Sequence, residues 1–152
     1  MNDFTEEHLR ERGFVGFKPF LTLDMTVVPD APGVYVVLAP GKPQYLASSP
    51  AGPFRGDPSV AVEVLAARWH ATAETIYIGK AATSLRARTR AYRAHGLGGN
   101  ARHWGGRYIW QISGVDLLLG WLEAPDAREQ ERLLIAEFEA TFGGLPFANL
   151  VR

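Results

Sequence analysis

Two tyrosines in this 152-residue chain are placed where they could do chemistry together. Tyr35 ends a Gly-Val-Tyr tripeptide and Tyr77 opens a Tyr-Ile-Gly tripeptide, each within a short apolar run typical of a β-strand. Alternation along both strands puts the tyrosine on the face opposite its aliphatic neighbours. Folding alone does not require two tyrosines in these positions, and tripeptides this short recur by chance, so their weight depends on the residues that surround them.

An arginine and a glutamate occupy the inward stripes of two predicted helices. Arg88 shares a stripe with Leu85 and Tyr92, whereas Glu131 lies three, four and seven residues before the apolar residues of its own helix. A buried arginine needs an acceptor or a ligand, and a buried carboxylate needs a cation or a metal. The alternatives are that Arg88 reaches past the apolar surface to water, and that Glu131 lies at a helix rim or pairs with Arg88.

The charge distribution is uneven although the formal net charge is zero. Residues 75–115 contain no aspartate or glutamate. A basic stretch within a neutral protein is typical of a polyanion-binding surface, and the alternative is a solvated, arginine-rich helix. The basic residues of this acid-free segment are Lys80, Arg86, Arg88, Arg90, Arg93, Arg102 and Arg107, with His95 and His103.

Composition limits the class of protein. The chain has no cysteine, which excludes disulfides and thiolate metal sites. Its charged N-terminus lacks the apolar core of a signal peptide, and no apolar run approaches the ~20 residues that span a membrane. We therefore expect a cytoplasmic protein with no membrane partner. Its length predicts one domain over residues 1–152, with residues 1–31 as an N-terminal extension.

Helix and strand signals predict a small mixed α/β layer, an α+β fold, that positions these groups. Helices are predicted at residues 3–12, 59–69, 84–94 and 126–142. The first and last have capping boxes, Asp3/Glu6 and Asp126/Glu129, and the third is capped by Thr83 or Ser84. Strands are predicted at residues 34–38, 75–79 and 115–123, with a candidate edge strand within 14–28. Residues 40–58 are predicted to form a loop, and residues 107–112 either a helix or a strand.

The order of these motifs resembles the GIY-YIG nuclease domain, found in a component of the excinuclease and in some homing and restriction endonucleases. The resemblance covers roughly residues 32–150. It implies a three-stranded antiparallel sheet flanked by helices, with an insertion at about 40–73 between the first two strands. The motifs that carry it are Gly33-Val34-Tyr35, Tyr77-Ile78-Gly79-Lys80-Ala81, Leu85-Arg86-Ala87-Arg88, Glu131 with Leu134-Ile135, and Asn149.

The resemblance implies a metal-dependent endonuclease that hydrolyses phosphodiester bonds in DNA. It assigns a single Mg²⁺ or Mn²⁺ to Glu131, the scissile phosphate to Arg88, and the general base to a tyrosine, without choosing between Tyr35 and Tyr77. Asn149 completes the catalytic set by orienting a neighbour. The residues expected to bind substrate are Gly79, Lys80, Arg86, Arg90, Tyr92, Arg93, His103 and Arg107.

Two other functional classes fit parts of the same pattern. The first is a non-catalytic nucleic-acid-binding module that retains the GIY-YIG fold, and the second is a protein-interaction domain. The glycine-rich segment from His103 to Arg107 also has two interpretations. It either contacts substrate, with a base stacked on Trp104, or forms a tight turn with Trp104 in the core. A homo-oligomer or protein partner is not indicated.

Overall fold

The computed structural model describes residues 3–100 and 102–151. Its main sheet has four antiparallel strands in the order β1-β6-β2-β4. A second, two-stranded sheet pairs β3 with β5. The strands are β1 (Val15–Pro19), β2 (Gly33–Leu38), β3 (Gln44–Tyr45), β4 (Thr75–Ala81), β5 (Ile112–Ser113) and β6 (Leu118–Glu123). The helices are α1 (Glu6–Glu11), α2 (Val62–Arg68), α3 (Leu85–Gly96) and α4 (Ala127–Phe142).

The central strand β2 shows why this sequence forms a sheet here. Every residue of β2 is buried, and three of its six are valine, whose branched side chain packs well on a pleated surface. Gly33 opens the strand where a Cβ would meet the backbone of β6. The predicted strands at 34–38 and 75–79 are confirmed, and the third begins at Leu118 rather than at residue 115.

The three-stranded sheet expected from the resemblance is wrong, because β1 adds a fourth strand beside β6. The added strand has a bulge between Gly16 and Lys18, where Phe17 adopts a positive φ of 56°. The Phe17 ring packs over Gly120, where an added Cβ would lie 2.6 Å from the ring. The resemblance begins near residue 32 and so could not reveal this edge strand.

Helices cover both faces of the sheet and divide the core in two. On one face α3 packs with Tyr35, Val37 and Tyr77. On the other, α4 and residues of the N-terminal extension pack with alternate β2 residues such as Val36. Arg88 and Glu131 therefore belong to helices on opposite faces, and they can approach each other only around the β4 edge.

Two of the predicted helix caps are wrong. Thr5, not Asp3, caps α1, because its Oγ1 accepts a hydrogen bond from the His8 amide. Asp126 precedes α4 but makes no side-chain cap bond, and Glu129 pairs with Arg132 instead. Acidic side chains close to arginine or glutamine find partners other than the helix amides. The Ser84 cap of α3 and the glycine stop of α4 at Gly143 are confirmed.

The insertion between β2 and β4 is folded and attached to the domain. It contains the predicted helix α2, and the predicted loop at 40–58 includes the short strand β3, which pairs with β5. Buried Gln111 bridges the insertion, since its Nε2 donates to the carbonyls of Leu46 and Val60. The undecided segment at 107–112 is a 3₁₀ helix (Arg107–Gln111) that leads into β5.

The longest helix, α4, has 16 residues. None of the helices in the described part of the chain is long and apolar enough to cross a membrane.

Candidate functional site

The two motif tyrosines lie side by side on the α3 face of the sheet. In the β2–β4 pairing, Tyr35 lies opposite Gly79 and Tyr77 lies opposite Val37. The tyrosines are therefore diagonal neighbours, with ring centroids 6.0 Å apart. A Cβ at position 79 would lie 2.5 Å from Cζ of Tyr35 and 2.7 Å from Cε2 of Tyr77. Glycine at 79 is thus a steric requirement for packing both rings.

Tyr92 and His103 complete an aromatic cluster with Tyr35 and Tyr77. The Tyr92 ring, from α3, lies 5.3 Å from the Tyr77 ring. The His103 ring stacks parallel on Tyr92 at 3.6 Å, and its Nε2 shares a 2.5 Å hydrogen bond with the Tyr35 hydroxyl. The Tyr92 hydroxyl donates to the Gly106 carbonyl at 2.6 Å. The segment 102–106 therefore covers the tyrosines.

Burial sets the protonation states of the aromatic cluster. Tyr35, Tyr92 and His103 have no exposed surface, and Tyr77 is 9% exposed. Burial raises the pKa of Tyr35 and Tyr92 well above the usual value, and raises that of Tyr77 to about 12. Burial, followed by the charge of Arg88, holds the pKa of His103 well below its usual range. All four groups are consequently neutral at physiological pH.

Arg88 lies at the edge of the aromatic cluster and is half-buried as a residue. Its Nη1 donates to the Arg102 carbonyl at 2.6 Å. Its positive charge partly offsets the burial that raises the pKa of Tyr35 and Tyr77. Arg88 is thus neither fully buried nor free in solvent, and its acceptor is a backbone oxygen of the covering segment 102–106.

Glu131 approaches the cluster from the other side of the β4 edge. Its carboxylate pairs with Lys80, with Nζ 3.7 Å from Oε1, and its side chain is 18% exposed. Burial raises the pKa of Glu131, and the charges of Lys80 and Arg88 oppose that rise. The carboxylate in turn raises the pKa of Tyr77. Glu131 is thus electrostatically coupled to the tyrosine site, and its ion-pair partner is Lys80 rather than Arg88.

Glu131 is the residue of this site whose carboxylate could hold a hard divalent cation. Mg²⁺ keeps several waters and takes only one or two protein carboxylates beside substrate phosphate. Glu131 lines an open groove of about 1000 Å³ together with Lys80 and the start of α4, which leaves room for water and phosphate. Residues 3–100 and 102–151 contain no group of three or more His, Asp or Glu side chains arranged to hold a metal. A metal here would depend on Glu131 and on displacement of Lys80.

Asn149 acts on the backbone of β4 rather than on a side chain of the site. Its Oδ1 accepts from the Ile78 amide at 3.0 Å, and its Nδ2 donates to the Ile78 carbonyl at 2.8 Å. Arg68 of the insertion holds this segment, because its Nε donates to the Phe147 carbonyl at 2.9 Å and its Nη2 to the Asn149 carbonyl at 2.5 Å. Asn149 and Arg68 therefore fix the β4 edge next to Tyr77.

Asn149→Ala is expected to lower the free energy of unfolding by about 2–4 kcal/mol, because it leaves the buried amide and carbonyl of Ile78 without partners. Urea unfolding followed by circular dichroism measures this. Thr141→Ala, which removes one exposed hydrogen bond on α4, is the control and should cost less than about 0.5 kcal/mol. Equal unfolding midpoints for Asn149→Ala and wild type would show that Asn149 does not anchor β4.

The structure divides the predicted substrate-binding arginines into separate groups. Arg86 donates to the carbonyls of Val28 and Thr26, and Arg93 donates to those of Leu23 and Phe20. Both tie α3 to the segment before β2. Arg90 is exposed on the same helix. The guanidiniums of Arg86 and Arg93 therefore have backbone partners away from the aromatic cluster.

Trp104 and Arg107 form a unit of their own within the glycine-rich segment. The Arg107 guanidinium lies 4.3 Å from the Trp104 ring centroid, and its Nη1 donates to the Trp104 carbonyl at 3.2 Å. Burial lowers the pKa of Arg107. Trp104 is half-buried, which is intermediate between the core position and the exposed stacking position expected from the sequence.

Two contributors to the site gave no usable sequence signal, since Arg68 lies in the insertion and Arg102 contributes a backbone carbonyl. His103 is among the residues expected to bind substrate, and the structure instead joins it to Tyr35 from 68 residues away. The acid-free segment does include Arg102 and His103. A charge pattern cannot indicate, however, which residues turn inward onto a tyrosine.

The buried neutral His103 makes stability dependent on pH. The unfolded imidazole has a pKa of about 6.5, whereas burial depresses the folded value. Between the two values only the unfolded state binds this proton. Stability should therefore fall as pH drops through about 6.5, by at most about 1.4 kcal/mol per pH unit from this group.

His103→Phe, which keeps an aromatic ring against Tyr92, should flatten the pH dependence of stability by about one proton between pH 5 and pH 7. Urea unfolding of both proteins at several pH values measures the slope. An unchanged slope in His103→Phe would mean that His103 takes up no proton on unfolding.

Comparisons with protein-family models, with curated proteins and with solved structures gave no match.

Proposed function

We propose that this chain is a metal-dependent endonuclease of the GIY-YIG type that hydrolyses phosphodiester bonds in DNA. The observation that carries the proposal is that β2, β4, α3 and α4 each contribute one residue near the β4 edge. Tyr35 and Tyr77 pack together, Arg88 lies against them, and Glu131 is electrostatically coupled to both Tyr77 and Arg88. These residue types can bind an anion, hold a cation and move a proton, and the electrostatic coupling around the β4 edge supports a single site for them.

Arg88 supplies the contact to the scissile phosphate. Its planar guanidinium can bind two phosphoryl oxygens at once and stabilise the charge that develops on them. Lys80 adds a second positive charge beside Glu131, on the α4 side of β4. A divalent cation held by Glu131 would supply Lewis-acid stabilisation of the leaving oxygen. Arg88 and Glu131 belong to helices on opposite faces of the sheet, so a phosphate that contacts the residues of both would lie at the β4 edge.

Tyr77 is the better candidate for the proton acceptor. It is the partly exposed member of the cluster and the one coupled to Glu131, whereas the Tyr35 hydroxyl is covered by His103. A phenol with a pKa of about 12 is a weak base. The charge of Arg88 already lowers that pKa, and a cation held by Glu131 would lower it further. Tyr35, which is hydrogen-bonded to His103, then helps to position Tyr77 by packing against its ring.

Substrate binding requires a rearrangement around Arg88. The Arg102 carbonyl accepts a hydrogen bond from the guanidinium that would contact the phosphate. A phosphate is a stronger acceptor for arginine than a neutral carbonyl, because the hydrogen bond is then charged at both partners. The scissile phosphate would therefore take the place of the Arg102 carbonyl.

The test of this function is cleavage of end-labelled oligonucleotides by the purified chain. Single-stranded DNA, blunt duplex, a branched duplex and RNA are incubated with Mg²⁺, with Mn²⁺ and with EDTA. Cleavage of at least one DNA substrate that requires a divalent cation and stops in EDTA is expected. Absence of cleavage in all of them would overturn the endonuclease proposal.

One observation favours the alternative of a non-catalytic nucleic-acid-binding module. Arg88 and Tyr35 are both engaged by the segment 102–106, and Glu131 is paired with Lys80. A permanently closed site would bind nucleic acid through its outer cations alone. Salt-sensitive DNA binding without cleavage would support this module.

A further inference from the structure

The tip of the insertion is fixed beside the site by a buried anchor. The Gly52 amide donates to the His95 carbonyl at 2.9 Å, and His95 Nε2 donates to the Gly52 carbonyl at 2.7 Å. A Cβ at position 52 would collide with the Gly99 carbonyl. His95 itself is fully buried at the end of α3. The tip therefore has a defined position on the domain.

Next to this anchor lies an aromatic ring with two arginines close to it. The Phe54 amide donates to the Gly52 carbonyl at 3.0 Å, which turns the chain so that the Phe54 ring is half-exposed. The guanidinium of Arg55 lies 5.6 Å from the ring centroid, and that of Arg102 lies 6.0 Å from it. Both arginines are exposed. We name Phe54, Arg55 and Arg102 the insertion platform.

The insertion platform adjoins the proposed catalytic site through Arg102. The side chain of Arg102 faces Phe54, while its backbone carbonyl accepts the hydrogen bond from Arg88. Arg102 of the platform is thus in direct contact with Arg88, the residue that would hold the scissile phosphate. The Oδ1 of Asp57, the acid nearest in the chain, accepts from the Ser59 amide at 2.9 Å. Two guanidiniums lie beside the Phe54 ring.

The chemistry of the platform fits an unpaired nucleotide. An aromatic face stacks on a base, and guanidiniums contact the flanking phosphates or stack on the base themselves. Bases in a duplex are already stacked on their neighbours, so the ring is useful only where a base is free. A platform made for duplex DNA alone would need the arginines but not the phenylalanine.

We propose that the insertion platform binds an unpaired nucleotide, so that the chain acts on DNA with a single-stranded segment next to the cleaved bond. The choice of DNA as the ligand rests on the proposed nuclease function. The insertion then has a role in substrate selection in addition to holding Asn149 through Arg68.

Binding without cleavage tests the platform. Fluorescence anisotropy with a labelled single-stranded DNA oligonucleotide and with a blunt duplex of the same sequence is measured in EDTA. Phe54→Ala should weaken single-strand binding about 5- to 20-fold, on the scale of one lost base stack, and change duplex binding less than about 2-fold. Phe54→Trp should restore single-strand binding. Leu97→Ala, which truncates a 70% exposed leucine outside the platform, is the control.

Charge variants give a second readout. Arg55→Gln and Arg102→Gln should each reduce the slope of log affinity against log salt concentration by about 0.7 for the single strand. The platform proposal is overturned if Phe54→Ala binds single-stranded DNA like wild type, or if it weakens single-strand and duplex binding equally. Because EDTA silences cleavage, binding that follows the expected pattern would stand even if the chain cuts nothing. Metal-dependent cleavage together with an inert Phe54→Ala would overturn the platform alone.

Discussion

Glu131→Gln is expected to lower the single-turnover rate of DNA cleavage by about 100- to 1000-fold or more. That range is typical for loss of one group that stabilises charge in the transition state. Glutamine keeps the size of the side chain but removes the negative charge that would hold a cation beside the groove at the start of α4. DNA affinity measured in EDTA should stay within about 2-fold, because the variant removes no positive charge from the chain.

Glu129→Gln is the matched control, because Glu129 lines the same groove on the same helix but is exposed and paired with Arg132. It should cleave at the wild-type rate. We expect Glu131→Gln to remain folded although it breaks the ion pair with Lys80. The substitution removes a half-buried carboxylate whose pKa is raised by burial. Wild-type cleavage by a folded Glu131→Gln protein would remove Glu131 from the mechanism.

Arg88→Lys is expected to reduce the cleavage rate by about 100-fold while leaving the net charge unchanged. Lysine presents a single point charge and cannot form the two parallel hydrogen bonds that a guanidinium makes to phosphate. The substitution also removes the planar group that lies at the edge of the aromatic cluster beside Tyr35 and Tyr77. The expected loss should therefore lie in the rate of the chemical step, with DNA affinity little changed.

Arg90→Lys, two residues along α3 and exposed to solvent, controls for any general intolerance of lysine in this helix. Its single-turnover rate should match that of wild type. Equal losses for Arg88→Lys and Arg90→Lys would indicate that lysine disturbs this helix at either position. Cleavage by Arg88→Lys at the wild-type rate would indicate that Arg88 contributes only its charge, and that result would contradict a specific contact between the guanidinium and the scissile phosphate.

Local patterns predict the elements that position the site. The valine-rich β2 and the periodic, glycine-terminated α4 both follow from residues next to one another in the chain. β1 is harder to predict, because glycine and proline interrupt it and its strand character depends on β6, about a hundred residues later. The predicted capping box of α4 is wrong for a similar reason, because Asp126 and Glu129 each bind a competing side chain within four residues.

The site is predictable only in part, because local periodicity orients the side chains of its strands but not those of its covering segment. Strand alternation places Tyr35 and Tyr77 on one face, and helical spacing turns Arg88 towards them, so these placements follow from the sequence. The hydrogen bond between His103 and Tyr35 depends on how a glycine-rich loop returns over α3. Neither periodicity nor propensity carries that information. The same holds for the contact of Arg68 with the Asn149 carbonyl.

The proposed metal-dependent cleavage is decided by the single-turnover rate on a labelled DNA with a single-stranded segment as Mn²⁺ is titrated from zero. Wild-type protein and Glu131→Gln are compared side by side. We predict a wild-type rate that is absent without the cation and saturates as Mn²⁺ rises, and a Glu131→Gln rate that stays near the background throughout. A wild-type chain that binds this DNA but never cuts it at any Mn²⁺ concentration would contradict the proposed mechanism.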